Sequence, residues 1–236
     1  MKKATIITIP IVPLGILNAF LVIENGRALL VDTGVPGSAP KIEKALGSHG
    51  LGWTDVALTV VTHAHIDHAG SGAKIQRLSH GPILAHKLEQ PYCEGRKHEL
   101  FPTSLTAHLF RKTGTPDTRI RQFTPDILQD GDLLDLSEFG FSAQTVFTPG
   151  HTPGSISVLL NDKRVLAGDL LASGILIGGI IRRNHPIRPP FEEDPKQVAA
   201  SLEHLLSLGA RKFHIGHGGP LSAEKVKTHI EKLRKL

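Results

Sequence analysis

The chain has 236 residues, of which 40% are hydrophobic and 21% charged. That is long enough for one compact domain with a sizeable core and excludes a disordered or low-complexity protein. The lone cysteine, Cys93, excludes an intrachain disulfide. The net charge of +5 comes from dispersed Lys and Arg with one late cluster (Lys225, Lys227, Lys232, Arg234, Lys235). On a helix that is a solvated face, and it argues against a nucleic-acid partner.

Met1-Lys2-Lys3 followed by an apolar stretch to Ile23 imitates a leader peptide. Pro10, Pro13 and Gly15 interrupt it, and no small-x-small cleavage site follows. Residues 19–23, the Asn25-Gly26 pair and residues 28–32 read as a β-hairpin with a tight turn. Cleavage would remove half of that hairpin, so a cytoplasmic location is expected. No segment has the length and apolarity of a membrane span.

Strands are predicted over 4–9, 17–23 and 27–32, then a helix from Ser38 to Leu46 with Ser38 as N-cap. A strand over 56–61 leads into a polar loop, a helix over about 68–79 and a short strand over 82–85. Residues 86–120 carry helical fragments broken at Pro91, Pro102 and Pro116. Hairpins are predicted for 132–136 with 141–147, and for 155–160 with 164–168 around Asn161-Asp162. Asp194-Pro195 is an N-cap and first-turn pair for a helix to Leu208, closed by Gly209. A strand over 211–215 and a helix over 222–234 complete a layered α/β pattern, read as a single domain over 1–236.

The chemistry lies at strand ends. After the run from Val56 to Val61 comes Thr62-His63-Ala64-His65-Ile66-Asp67-His68, four potential ligands within six positions. Imidazole with carboxylate suits zinc, and also iron or manganese. In an extended segment His63 and His65 point one way, while Asp67 and His68, at the turn into a helix, can point another. One loop can thus feed two ions. His151 follows in Thr148-Pro149-Gly150-His151-Thr152-Pro153-Gly154, Asp169 ends a strand in Gly168-Asp169, and His217 sits in Gly216-His217-Gly218. Glycine beside a ligand lets backbone approach a metal closely.

His-x-His-x-Asp-His, a Thr-Pro-Gly-His loop, Gly-Asp and Gly-His-Gly, in this order from about residue 5 to 230, resemble the metallo-β-lactamase-fold hydrolase superfamily. The resemblance implies a four-layer αββα sandwich with two divalent ions at one edge of the sheets. It implies His63, His65 and His151 on the first ion, Asp67, His68 and His217 on the second, and Asp169 between them. Zinc is the expected metal, with iron or manganese as alternatives. Asp67 would also orient or deprotonate the attacking water. Asp32, in Leu30-Val31-Asp32-Thr33-Gly34, matches a family position near the ligands. It reads either as an acceptor for a ligand imidazole or as a strand-end turn residue.

The bridging position separates the chain from lactam-cleaving branches that have Cys or Ser there. His65 stands where flavodiiron proteins have Glu. Glyoxalase II-like enzymes share the bridging Asp but add a C-terminal helical module, and only 19 residues follow His217. Lactonases of this type carry Tyr three residues after the bridge, where this chain has Ala172. The expected activity is hydrolysis of an ester, thioester or lactone on a small-molecule substrate. A phosphodiesterase or nuclease on the same site, and a β-lactamase-like activity, are the alternatives. Segments 86–120 and 172–193 are expected to wall the site. The apolar run Ala172–Ile181 and the residues Arg182, Arg183, His185 and Arg188 would meet substrate. The sequence leaves the oligomeric state open.

Overall fold

The computed structural model describes residues 4–113, 122–176 and 180–236. The predicted break at Pro116 and residues 177–179 of the expected apolar wall lie outside them.

The first half of the chain builds a six-stranded sheet. Strands β1 (Thr5–Val12), β2 (Leu17–Glu24) and β3 (Arg27–Val31) run antiparallel. The β2–β3 turn places Asn25 and Gly26 at φ 50° and 78°, the backbone that an Asn-Gly turn provides. Helix α1 (Ala39–Gly47) then crosses to β4 (Val56–Val60), parallel to β3. Helices α2 (Ile66–Ala69) and α3 (Gly72–Leu78) lead to β5 (Ile83–His86). Short helices α4 (Gln90–Cys93) and α5 (Leu105–Lys112) precede the edge strand β6 (Ile127–Gln129).

The second half builds a second six-stranded sheet. It contains β7 (Leu133–Asp135), β8 (Ala143–Phe147), β9 (Ile156–Leu160) and β10 (Arg164–Leu166) as an antiparallel meander. A separate hairpin of β11 (Ala172–Leu176) and β12 (Ile180–Ile187) follows. Helix α6 (Pro195–Ser207) leads to β13 (Lys212–His214), parallel to β10, and β14 (Leu221–Ser222) pairs with β13 before α7 (Ala223–Leu233).

Side chains alternate along the strands and sort the core into layers. Phe20, Val22, Leu29, Val31, Leu58 and Val60 meet Ile156, Val158, Leu160 and Leu166 between the sheets. Leu21, Leu30 and Ala28 face out against Ile42 and Leu46 of α1. Val165 and Phe213 pack on Val198, Leu202 and Leu205 of α6 and Val226 and Ile230 of α7. Both sheets are covered on both faces, which is why their strands read as nearly continuous apolar runs. The arrangement is the expected four-layer αββα sandwich.

Two local readings change. The single helix predicted over 68–79 is split, with Gly70 and Ser71 between α2 and α3. A Cβ on Gly70 would collide with the Ile66 carbonyl and Pro36. Ser71 Oγ donates to Val35 O at 2.7 Å, tying the break to the loop after β3. Ser38 occupies the N-cap of α1 but does not cap it; its hydroxyl donates to Val35 O at 2.7 Å instead. Asp194 caps α6 as expected, accepting from the backbone of Lys196 and Gln197.

Candidate metal centre

Ligand-bearing residues from both sheets meet at one edge. The loop after β4 carries His63 and His65, and the first turn of α2 carries Asp67 and His68. His151 comes from the β8–β9 connection, Asp169 from the turn after β10, and His217 from the turn after β13. Among the described residues three groups bring their donor atoms within 4.8 Å of one another: His63, His65 and His151; His63, His68 and Asp169; and Asp67, His68 and His217. All seven residues expected from the sequence are therefore in one cluster.

Its geometry fits cations. His63 Nε2, His65 Nδ1 and His151 Nε2 form a triangle with three sides of 3.1 Å. Only one hydrogen can lie along each such edge, so the lone pairs crowd a common point, as imidazoles around one small ion do. Asp169 lies beside both ends of the cluster, with Oδ1 3.3 Å from His68 Nε2 and Oδ2 3.1 Å from His217 Nε2. Asp67 Oδ2 is 3.3 Å from His217 Nε2. His68 Nε2 and Asp169 Oδ1 are buried without a hydrogen-bond partner, an expensive state that a bound cation would relieve.

Outer contacts orient the rings. His68 Nδ1 donates to Asp32 Oδ2 at 2.7 Å, which leaves Nε2 as the inward lone pair. Asp32 also accepts from the Thr62 backbone N–H at 2.8 Å and the Thr62 hydroxyl at 2.9 Å. With that hydroxyl donating to Asp32, its oxygen accepts from His63 Nδ1 at 3.1 Å. His217 Nδ1 donates to Ile16 O at 2.6 Å. The carboxylate behind His68 and the carbonyl behind His217 are the usual means of fixing a ligand tautomer. The predicted close glycine is also present: a Cβ on Gly216 would collide with Asp169 Oδ1 and the His68 ring.

Burial, then the neighbouring imidazoles, holds His63 and His65 well below the usual histidine range, so both are neutral. Burial likewise brings His151 down to about 4. Burial opposes a charge on His217, but Asp169 and Asp67 outweigh it and push that ring up to about 10. The carboxylate end of the cluster thus demands positive charge.

Three residues near the cluster carry no signature in the sequence. Glu89 is fully buried. Its Oε2 accepts from the Ala64 N–H at 2.7 Å, between the two ligands of the first loop. Its Oε1 accepts from Thr152 Oγ1 at 2.8 Å and Gly154 N–H at 3.0 Å, beside His151. Burial raises its carboxyl to about 7 despite these donors. His98 stands edge-on to His65 at 4.7 Å and stacks on Tyr92 at 3.7 Å. Glu89, Tyr92 and His98 come from the short helical turns and loop after β5, and only the fold brings them to the ligands.

The cluster forms the floor of a cavity of about 440 Å³. Val12, Leu17, Leu100, Phe110 and Phe191 give it apolar walls, with Tyr92, Arg96 and His98 on one side. Parts of the segments expected to wall the site therefore do so. Of the four predicted substrate contacts, the structure brings His185 and Arg188 to a neighbouring chamber. It carries Arg182 and Arg183 to a separate cleft, where Arg183 donates to Leu14 O at 2.9 Å. Neither of those two lines the cavity over the cluster. Arg188 Nε donates to Glu192 Oε1 at 2.6 Å. His214 lies outside the three groups and packs edge-on to Phe20, and Cys93 is buried with its thiol pushed up by burial.

Comparison with known proteins supports the same identity. Residues 12–217 match the model of the metallo-beta-lactamase superfamily. "Probable metallo-hydrolase YflN" of Bacillus subtilis strain 168 is 30% identical over 224 residues, covering 89% of this chain and 82% of that one. Hydroxyacylglutathione hydrolase GloC of Haemophilus influenzae is 27% identical over 166 residues, covering 69% of this chain and 68% of that one. The crystal structure of the BLEG-1 B3 metallo-beta-lactamase superposes with a TM-score of 0.68, at 24% identity over 97% of this chain and 99% of that one; at that identity the likeness concerns the fold. With its ligand-type residues gathered at the edge of an αββα sandwich, the chain belongs to the metallo-beta-lactamase superfamily and is a metallo-hydrolase.

Proposed function

We propose that the chain is a dinuclear hydrolase, most readily a zinc enzyme, that cleaves an ester, thioester or lactone of a small molecule. The observation that carries this reading is the gathering of seven imidazole and carboxylate donor residues, five of which line an apolar-walled cavity. His63, His65 and His151 would hold one ion, Asp67, His68 and His217 the other, and Asp169 both. Bound there, two divalent ions supply an acidified water and a Lewis acid for the substrate carbonyl.

The chain's own residues do the rest. Asp169 is 5% exposed and enclosed by His68, His151 and His217, whereas Asp67 has a side-chain exposure of 32% and opens to the cavity. Asp67 is therefore the carboxylate that orients the attacking water and takes its proton. Asp32 keeps the His68 lone pair inward through Nδ1. Leu100, Phe110 and Phe191 exclude bulk water from the scissile bond and favour an apolar acyl group.

GloC, a relative named as a hydroxyacylglutathione hydrolase, supports an acyl-transfer reading. The test is a panel on zinc-replete protein: aryl esters, acyl thioesters, lactones, a bis-aryl phosphate and a penicillin. Hydrolysis of esters or lactones is expected to exceed that of the phosphodiester, with little cleavage of the β-lactam. A β-lactam rate above the ester rate would overturn the reading. No helix among the described residues is long and apolar enough to cross a membrane. We place the single domain in the cytoplasm, acting without a nucleic-acid partner.

A further inference from the structure

The cavity over the cluster continues past His217 into a second chamber of about 750 Å³. Ile16, Phe110, Pro190 and His217 line both, so the two form one bent groove. The far walls are α5, the last residues of β12 and the C-terminal turns of α7.

The two ends of the groove differ in chemistry. The cluster end is walled mostly by aliphatic and aromatic side chains, with Arg96, Lys97 and His98 also lining it. The far end carries His185, Arg188, His229 and Lys232. Glu192 accepts from Arg188 at 2.6 Å, so the chamber retains an excess of basic groups. His229 is 3% exposed, and neither of its ring nitrogens has a hydrogen-bond partner. Burial first, then the charges of Lys232, Arg188 and His185, bring its imidazole down to about 4. The field at this buried ring is therefore positive. A buried donor left unmade is costly unless something arrives to use it.

We propose that the second chamber is an anion-binding subsite for the leaving group of the substrate. Lys232 supplies the charge and His229 a buried N–H donor. The substrate is then an ester or thioester whose apolar acyl part lies over the cluster and whose alcohol or thiol ends in a compact anion, a carboxylate, sulfonate or phosphate. Hydrolysis forms an acyl carbon–oxygen bond from water and breaks the acyl–oxygen or acyl–sulfur bond. The departing group receives water's proton. The inference rests on reading the cluster as a hydrolytic centre. It adds what that reading lacks, a reason for the groove to extend beyond the reacting bond. His217 marks the seam, since it belongs to the cluster and lines both chambers.

The test compares 4-sulfophenyl butyrate with its neutral partner 4-sulfamoylphenyl butyrate on the zinc-replete full chain. The ratio of kcat/KM between the two esters is expected to fall about tenfold in Lys232→Met, through KM. His229→Gln, checked for fold by circular dichroism, should lower it in the same direction. Lys227→Met removes the same charge from the same helix outside the groove and should keep the ratio. Calorimetric binding of 4-phenolsulfonate gives a reading without turnover, and should weaken in Lys232→Met but not in Lys227→Met. An unchanged ratio and unchanged binding in Lys232→Met overturn the subsite while leaving ester hydrolysis intact. If neither ester is turned over but anion binding still depends on Lys232, the hydrolase reading fails and the subsite stands.

Discussion

The Asp32 carboxylate lies 2.7 Å from His68 Nδ1 and also holds both the backbone N–H and the hydroxyl of Thr62. One side chain therefore orients a candidate ligand and fixes the start of the loop that carries four of them. Asp32 itself sits at φ 64°, a left-handed backbone that Asp tolerates better than most residues. Asp32→Asn presents an N–H where three donors already point. Zinc affinity is expected to fall about 10- to 100-fold, read by competition with a chromophoric chelator. Wild-type affinity in this variant would reduce Asp32 to a turn residue.

Metal content gives a second prediction. Elemental analysis of metal-replete protein should approach two ions per chain. Asp169→Ala should lower that value and cut ester hydrolysis by orders of magnitude, whereas His214→Ala should leave content nearly unchanged. Metal should also stabilise the fold by about 4 kcal/mol per ion at free zinc 1,000 times its Kd. Chelation that strips both ions without lowering the Tm would contradict this.

Glu89 links the loop of His63 and His65 to the loop of His151. Glu89→Gln keeps the shape but replaces one acceptor with a donor facing an N–H or a hydroxyl. It is expected to destabilise the protein by about 1–3 kcal/mol in urea. It should also weaken the ion held by the three-histidine group before the other. Equal loss of both ions would mean that Glu89 acts on the fold as a whole.

A fourth prediction concerns acid. Burial lowers His214 to about 4, below its value of about 6.5 in an unfolded chain. The folded state holds this ring neutral, so its contribution is complete above pH 6.5 and is lost as pH falls through 4. His214→Phe removes that penalty. Between pH 6.5 and 4 the variant should lose less stability than wild type, by up to about 3 kcal/mol. Parallel pH–stability curves for the two proteins would refute it.

The sequence made the strands and most ligand-type residues legible because both rest on local signals. Alternating and continuous apolar runs marked β2, β3, β4 and β9, and His and Asp at strand ends marked the cluster. Glu89 was invisible because its partners, Ala64, Thr152 and Gly154, are distant in sequence and offer only two backbone N–H groups and a small hydroxyl. Arg182 and Arg183 show the opposite case, lining a cleft separate from the cavity over the cluster. Proximity in sequence to Asp169 was taken as proximity in space, while the β11–β12 hairpin carries them outward. The split at Gly70 followed a packing constraint from Pro36, which no helix propensity reports.

The donors at the cluster are divided between the two sheets: four on the first, three on the second. Neither half of the chain owns a complete coordination sphere. An ion bound there would be a fastener across the sandwich, joining the two sheets at the edge where the cavity opens. Metal removal should therefore loosen the edge where the sheets meet, and a fragment ending before His151 would retain only the four donors of the first sheet, with none of the three groups complete.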